Sequence, residues 1–362
     1  MRIALAYNAK PSARPGIAAR RPDPLSPEEE DDPPDPEGVG SSEDAYAEWD
    51  DAETVLAVAE ALARRAEVVL LEARPDFPER VRRVRPDLVF NIAEGLRGPG
   101  REAQVPATLE LLGLPYTGSD PLTLAVCLDK AWTQAVLRQH GVATPTSAVV
   151  GGPDSLAAAR SVPLPAIVKP AWEGSSKGIR DDQVVRTVGE LEDRVRRVLA
   201  TYRQPVVVER FLPGREFTVA LLGNGADLRL LPPVEIRFDR LPPGANPVYS
   251  WEAKWVWDRP EAPLRIFDCP AALAPRERQA VEDLCRRAAQ ALRLRDWARI
   301  DLRMDEAGVP AVLEVNPLPG VLPNPEDNSC YPKAARAAGL GYPEMIWAVA
   351  EAACRRLGLG RP

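Results

Sequence analysis

Between Arg299 and Gly320 the chain reads RIDLRMDEAGVPAVLEVNPLPG, with Arg299 and Asp301, and again Glu314 and Asn316, two residues apart. In a strand, residues i and i+2 share a face, so each pair points the same way. If Asp305–Gly308 is the turn of a hairpin, Asp301 lies opposite Val312 and diagonal to Glu314, and all four polar side chains share one face. Two carboxylates and an amide oxygen then converge with an arginine beside them. Such an oxygen-only set suits magnesium, which takes few protein ligands and completes its shell with substrate phosphates. A solvated strand face with a cross-strand ion pair is the plainer alternative. The following NPLPG favours a site, because Pro317 and Gly320 force a turn directly after the asparagine, where backbone has to meet a substrate.

A second candidate lies upstream. Lys169 ends an apolar run, PAIVK, and is followed by the small-residue loop Gly174-Ser175-Ser176. Amides and hydroxyls of such a loop can cradle phosphate oxygens while the lysine supplies charge. The Walker A spacing is absent, and taken alone the run also reads as a plain flexible turn.

Composition narrows the chemistry. His140 is the sole histidine and precedes Gly141 at the end of a helical run, a helix-capping position. A multi-histidine zinc site is excluded and a triad built on His140 is disfavoured. Catalysis therefore has to run on carboxylates, lysines, arginines, backbone amides or an oxygen-held ion. Cys127, Cys269, Cys285, Cys330 and Cys354 form no C-x-x-C pair, as expected of reduced thiols in a cytoplasmic protein. A net charge of −7 and a pI near 5.2 argue against binding nucleic acid or an anionic membrane surface. There is no long uncharged apolar run, and residues 1–7 are too short for a signal peptide.

A length of 362 residues fits two or three packed subdomains. Residues 3–7 read as a strand. Residues 10–50 are rich in proline and acid and are expected to form a mobile insertion outside the core. Helix 54–62, strand 68–71, helix FPERVRRV, strand DLVFNIA and helix REAQVPATLELLG follow, an alternation that predicts a parallel sheet covered on both sides. From Asp120 the pattern changes: one long helix, PLTLAVCLDKAWTQAVLRQHG, then strands TSAVV and AIVKPA, the charged helix ELEDRVRRVLATY, strands VVVERFL and EFTVALLG, a tryptophan-bearing loop, a further helix, the hairpin and a closing helix. No internal repeat is found. The expected division is 1–120, with the insertion, then 121–205 and 206–362.

Taken in order, LDK (128–130), VKPAWEGSSKGI (168–179), VERFLPGREFTVALL (208–222), EAKW (252–255), the hairpin with NPLPG and SCYPKAARAAG (329–339) resemble the ATP-grasp superfamily. More narrowly they resemble D-alanine–D-alanine ligases and their unassigned relatives, and REAQVPATLELLGLPYTGSDPLTLA (101–125) extends the likeness. The resemblance implies an α/β chain turning α+β in its C-terminal half. It implies three subdomains: a parallel-sheet N-terminal part, and two mostly antiparallel sheets with the nucleotide between them. It implies a homodimer, ATP with Mg2+ or Mn2+, and small amino-acid or carboxylate substrates. Residue by residue, Lys130 and Lys169 match lysines on the ATP phosphates, and Gly174, Ser175 and Ser176 match the flap closing over them. Glu209, Arg210, Phe211 and Leu212 match the stretch facing adenine, and Glu216 the carboxylate on the ribose. Lys254 matches a lysine on the covering loop. Asp301, Glu314 and Asn316 match the metal ligands and Arg299 the arginine at the reacting carboxylate. Gly320 matches the amide facing the oxyanion, and Ser329 the serine holding the acceptor carboxylate.

The implied reaction is ATP-dependent joining of a carboxylate to an amine through an acylphosphate, releasing ADP and phosphate. A ligase acting on a different acid or amine, and a non-catalytic nucleotide-binding relative, are the alternatives. Departures fall on the substrate side. Glu94-Gly95 stands where these ligases usually read His-Gly, and Trp255 where they carry a tyrosine linked to the flap serine and an N-terminal glutamate. Tryptophan cannot accept a hydrogen bond, so that link must differ. Glu48 is the candidate for the glutamate. The run between Gly320 and Ser329 is longer than usual and carries Glu326 and Asp327, so D-alanine is not the expected sole substrate.

Overall fold

The structure, a computed structural model, describes residues 1–20, 46–95, 97–259 and 262–360. Its first sheet is parallel and runs in the order β2-β1-β3, with β1 at Arg2–Tyr7, β2 at Glu67–Glu72 and β3 at Leu88–Asn91. The apolar run IALAY makes β1 the centre. Ile3, Leu5 and Tyr7 enter one core cluster while Ala4 and Ala6 enter another on the opposite face, as a doubly covered parallel strand requires.

Helices cover this sheet: α1 (Arg14–Arg20), α2 (Ala52–Ala63), α3 (Phe77–Val84) and α4 (Gln104–Leu112). Helix α1 corrects an expectation. Residues 11–20 of the supposed mobile insertion are helical, and Ala13 and Ile17 are buried in the main core. Residues 46–50 are ordered too, since the Asp50 amide donates to the Asn8 carbonyl at 3.0 Å. Scattered apolar residues among prolines suffice once a sheet face is there to receive them. The remainder of the expected insertion, 21–45, lies outside the described residues.

The single helix expected after Asp120 is two, α5 (Pro121–Leu128) and α6 (Lys130–Gln139). Asp129 is extended, and its Oδ1 accepts from the amides of Ala131 and Trp132 at 2.8 and 3.0 Å. It thus caps α6 and interrupts the helical pattern. His140 closes α6, as its position predicted.

A four-stranded sheet follows, β4-β7-β5-β6, antiparallel throughout. It comprises β4 (Ser147–Val150), β5 (Ala166–Pro170), β6 (Val184–Val185) and β7 (Val206–Arg210), backed by α7 (Val188–Tyr202). The third sheet is antiparallel in the order β11-β10-β8-β12-β13, with β9 also on β8. Its strands are β8 (Glu216–Leu222), β9 (Arg229–Leu230), β10 (Val234–Ile236), β11 (Phe267–Asp268), β12 (Trp297–Met304) and β13 (Pro310–Asn316). Helix α8 (Pro275–Ala291) packs on one face, and α9 (Cys330–Ala337) and α10 (Tyr342–Leu357) complete the chain. Helix α10 docks on α2, where the buried Trp347 Nε1 donates to the Ala61 carbonyl at 2.7 Å. Among the described residues no helix is long and apolar enough to cross a membrane, and all five cysteines are unpaired.

Candidate active site

A cleft of about 1070 Å³ opens between the second and third sheets and reaches the carboxyl ends of β1 and β3. Of the residues singled out in the sequence, Glu48, Glu94, Lys169, Ser175, Ser176, Glu209, Arg210, Phe211, Leu212, Glu216, Lys254, Trp255, Arg299, Asp301, Glu314, Asn316, Gly320 and Ser329 line it. Lys130 and Gly174 stand immediately behind its wall, each bonded to a lining residue.

The β12–β13 hairpin turns at Asp305–Gly308 as expected, with the Gly308 amide on the Asp305 carbonyl at 3.1 Å. Its register differs. Asp301 pairs directly with Glu314, whereas Leu302 already pairs with Val312, leaving Leu313 as the extra residue of a bulge. The bulge turns both Leu313 and Glu314 toward the cleft. Arg299 pairs with Asn316, so the four polar residues do share one face.

Each of them has a partner. Arg299 Nε and Nη2 bind the two oxygens of Asp301 at 3.1 and 3.0 Å, and the Thr218 hydroxyl donates to the same carboxylate. Glu314 Oε1 is 3.1 Å from Lys130 Nζ, and Asn316 Oδ1 accepts from the Leu318 amide at 2.9 Å. Burial opposes the charge on Glu314, but Lys130 and then Arg299 outweigh it and hold its pKa below the ordinary carboxylate value. The donor set is all oxygen and faces the cleft, so it fits a hard divalent ion. Among the described residues no cluster of three acids, histidines or cysteines forms a metal cage. An ion here would take two carboxylates and an amide, with phosphate or solvent oxygens supplying the rest.

The two lysines come together because Asp129 sets Lys130 at the first residue of α6. Its Nζ donates to the Glu173 carbonyl and its amide to the Ala171 carbonyl at 3.0 Å. Lys169 sits on β5 with Nζ 2.7 Å from Glu209 Oε2, and Gln134 Nε2 donates to the other oxygen of Glu209 at 2.8 Å. Burial works against the Lys169 charge, yet Glu209 raises its pKa above the ordinary lysine value. Glu209 is wholly buried, so its side chain belongs to this lysine. The amides of Arg210 and Phe211 are bonded to the carbonyls of Thr146 and Pro165. Glu216 pairs with Arg303 at 3.0 Å, and the Arg303 guanidinium lies over the rings of Phe211 and Phe238.

The Gly174–Ser176 loop is tightly turned, with Ser175 and Ser176 at φ of 50° and 61°. Ser176 Oγ donates to the Tyr249 carbonyl at 3.0 Å, and Trp255 Nε1 to the Ser175 carbonyl at 3.3 Å. Trp255 therefore meets the loop as a donor. It lies with Lys254 in a π-helical turn, Glu252–Trp257, a form that recurs at functional sites. Burial first, then Arg299, bring the Lys254 pKa down to about 8. Glu48 is engaged rather than open: both oxygens accept from Arg101 Nη2 at 2.7 Å, and Oε1 also accepts from the Gly174 amide at 2.7 Å.

The Gly320 amide has no protein acceptor among the described residues. Ser329 heads α9, but its hydroxyl makes no cap bond. It donates to the Gly320 carbonyl at 3.2 Å and accepts from the Leu322 amide at 3.3 Å. The hydroxyl thus closes the loop carrying Gly320, and Ser329 lines the cleft beside it. At the other end of the cleft, Glu94 has no hydrogen bond or ion pair among the described residues. Burial, then Glu102, Glu48 and Asp50, push its pKa well up; burial above all raises Asp50 to about 7 and Glu102 to about 8.

Sequence reasoning missed Arg101, Glu173, Lys177, Gln134, Thr218 and Arg303. The i,i+4 spacing of Glu173 and Lys177, which pair at 2.8 Å, was a legible signal. The others are brought in from distant segments and had none.

Comparison with known proteins agrees with this architecture. The model of the D-Ala–D-Ala ligase C-terminus matches residues 151–351. The uncharacterized protein y4sG of Sinorhizobium fredii is 36% identical over 74% of this chain and 75% of its own length. A D-alanine–D-alanine ligase of Bordetella pertussis is 38% identical over 71% of this chain and 76% of its own. The crystal structure of D-alanine–D-alanine ligase from Bacillus anthracis complexed with ATP covers 98% of both chains with a TM-score of 0.68 at 22% identity. Fold and relatives together define an ATP-grasp ligase, an ATP-dependent, ADP-forming carboxylate–amine ligase. The chain belongs to the D-alanine–D-alanine ligase family.

Proposed function

We propose that this ligase binds ATP between its second and third sheets and couples an amino acid or related acid to an amine through an acylphosphate. The observation that carries this reading is one cleft into which Lys169, paired with Glu209 at 2.7 Å, faces from the second sheet and the register-paired Asp301 and Glu314 face from the third, with Lys130 3.1 Å from Glu314. Lys130 and Lys169 neutralise the phosphates while Glu209 through Leu212 and Glu216 flank the nucleotide. Asp301, Glu314 and Asn316 would hold magnesium, which supplies charge neutralisation at the transferring phosphoryl group. For that, Arg299 and Lys130 turn from the carboxylates toward substrate. A substrate carboxylate oxygen attacks the γ-phosphorus and ADP leaves; the amine nitrogen then attacks the acyl carbon and phosphate leaves. Arg299 and the unbonded Gly320 amide are the donors for the oxyanion. The enzyme is divided at 1–120, 121–205 and 206–362, with β7 (Val206–Arg210) crossing back from the third part to complete the sheet of the second, and it acts in the cytoplasm.

Both substrate ends of the cleft are acidic. Glu94 and Asp50 lie at one, and Asp327 is close enough to Glu53 and Asp258 for burial and then those two to raise its pKa. We therefore assign a partner larger or more basic than D-alanine at one or both positions. An amino-acid panel assayed for phosphate release with ATP and magnesium tests this. Basic or larger amino acids should outperform D-alanine alone, and efficient synthesis of D-alanyl-D-alanine would overturn the assignment. Phosphorus NMR of the same mixtures should show ADP and phosphate; pyrophosphate would mean adenylation and refute the acylphosphate.

A further inference from the structure

Arg101 occupies a position that no part of the reaction requires, yet it touches the segment that must close over ATP. Its Nη2 binds both oxygens of Glu48 at 2.7 Å and lies 3.8 Å from Glu173 Oε2, and its Nη1 donates to the Trp172 carbonyl at 2.9 Å. Glu48 in turn accepts from the Gly174 amide at 2.7 Å. Three consecutive residues at the loop's root, Trp172, Glu173 and Gly174, are therefore held from the N-terminal sheet side by one ion pair. The approach is close: a Cβ on residue 174 would lie 2.7 Å from Glu48 Oε1, so only glycine permits this contact without displacement.

The clamp is buried and continuous with the phosphate side. Arg101 and Glu48 side chains are 11% and 9% exposed, which removes most solvent screening. Glu173 is bonded on to Lys177 at 2.8 Å and to Gln204 at 2.7 Å, and its carbonyl accepts from Lys130. Burial favours neutral forms, but Arg101 and Lys177 keep Glu48 ionised, with its pKa below the ordinary value. A bidentate guanidinium is the side chain suited to hold a carboxylate and a carbonyl at once, which a lysine cannot do with one ammonium.

We infer that Arg101, acting through Glu48, is a positioning residue that latches the Gly174–Ser176 loop over the cleft and so keeps water from the acylphosphate. The inference rests on the ligase reading above. Without the latch, water replaces the amine as nucleophile at the acyl carbon, returning the free carboxylate and phosphate, so ATP is consumed without product. Arg101 does not line the cleft and contacts only Glu48, Trp172 and Glu173 among the residues around the loop, so its loss changes loop closure rather than the chemistry.

The full chain carrying Arg101→Met is compared with the wild type in two measurements. Hydrogen exchange of residues 172–180, where the Lys177 and Ile179 amides are bonded within the loop, should accelerate roughly tenfold to a hundredfold, the factor carried by a lost charge-assisted hydrogen bond. Phosphate released per amide formed should rise above one, with KM for ATP raised. Arg101→Lys, which keeps the charge, should fall between the two, and Glu48→Gln should reproduce the leak if Arg101→Met does not fold. Unchanged exchange in the loop, acceleration spread equally over β1 and α2, or a ratio that stays at one overturns the latch. Absence of any ligation by the wild type would sink the ligase reading instead, and the exchange comparison would still decide the contact.

Discussion

Lys254 is the cation of the cleft whose charge lies nearest to neutral pH. Burial and then Arg299 depress its pKa from 10.5 to about 8, and among the described residues no carboxylate pairs with the ammonium. A depressed lysine is neutral in the folded chain above about pH 8 while the unfolded chain still binds its proton. From this group alone, stability rises between about pH 8 and 10.5. Activity should move the other way. If the ammonium meets ATP, kcat/KM for ATP falls as pH rises through about 8, since that parameter reports the free enzyme. Lys254→Arg should move the alkaline limb upward, and a limb unmoved by the substitution would assign it to another group. Glu314 carries the complementary test. Glu314→Ala should abolish turnover with little change in Tm, because the residue faces the cleft and not a core cluster; an unchanged rate would remove it from the ion site.

At the scale of elements, two short features decide where the chemistry sits. Asp129 splits what would be one helix, and the break lets the Lys130 amide reach the Ala171 carbonyl and its ammonium reach Glu314. The bulge after Asp301 pairs the two acids directly. Helix α1 shows the other side of element formation, since its residues look too polar and proline-rich to order. Ile17 is 3% exposed in the main core. Ile17→Ala should cost about 2 kcal/mol or more, the lower end for truncating a buried isoleucine, measured by urea unfolding. No loss would show that α1 is merely laid against the surface.

Across the whole molecule, Asp296 ties three distant segments. It is wholly buried at φ 61°, binds Arg356 of α10 at 2.7 Å, and accepts from the Gly118 amide and Asn224 Nδ2, each at 2.8 Å. Removing it takes away the carboxylate that neutralises the Arg356 guanidinium, which keeps only the Tyr116 carbonyl at 2.9 Å and the Gly118 carbonyl at 3.5 Å, and leaves the buried Gly118 amide without its acceptor. Asp296→Ala should lower stability by about 3–5 kcal/mol, with α10 exchanging early. A loss confined to α10, with Tm otherwise kept, would show that the helix docks independently through Trp347.

The alternation of periods along the chain was enough to read the N-terminal parallel sheet, because strand and helix repeats depend on local burial, whereas the mostly antiparallel sheets after it were expected only from the family resemblance of the ordered motifs. The strand period likewise placed Arg299, Asp301, Glu314 and Asn316 on one face before any register was known. Which of them pair was not legible, since a one-residue bulge leaves no mark in hydrophobic alternation. Nor was the order of 11–20, which depends on a sheet face assembled from residues far along the chain. Arg101 and Glu48 are 53 residues apart and meet Gly174 a further 73 residues on. Contacts of that kind come from tertiary packing alone, because the geometry that makes an ordinary arginine into a clamp is supplied by segments with no local relation to it.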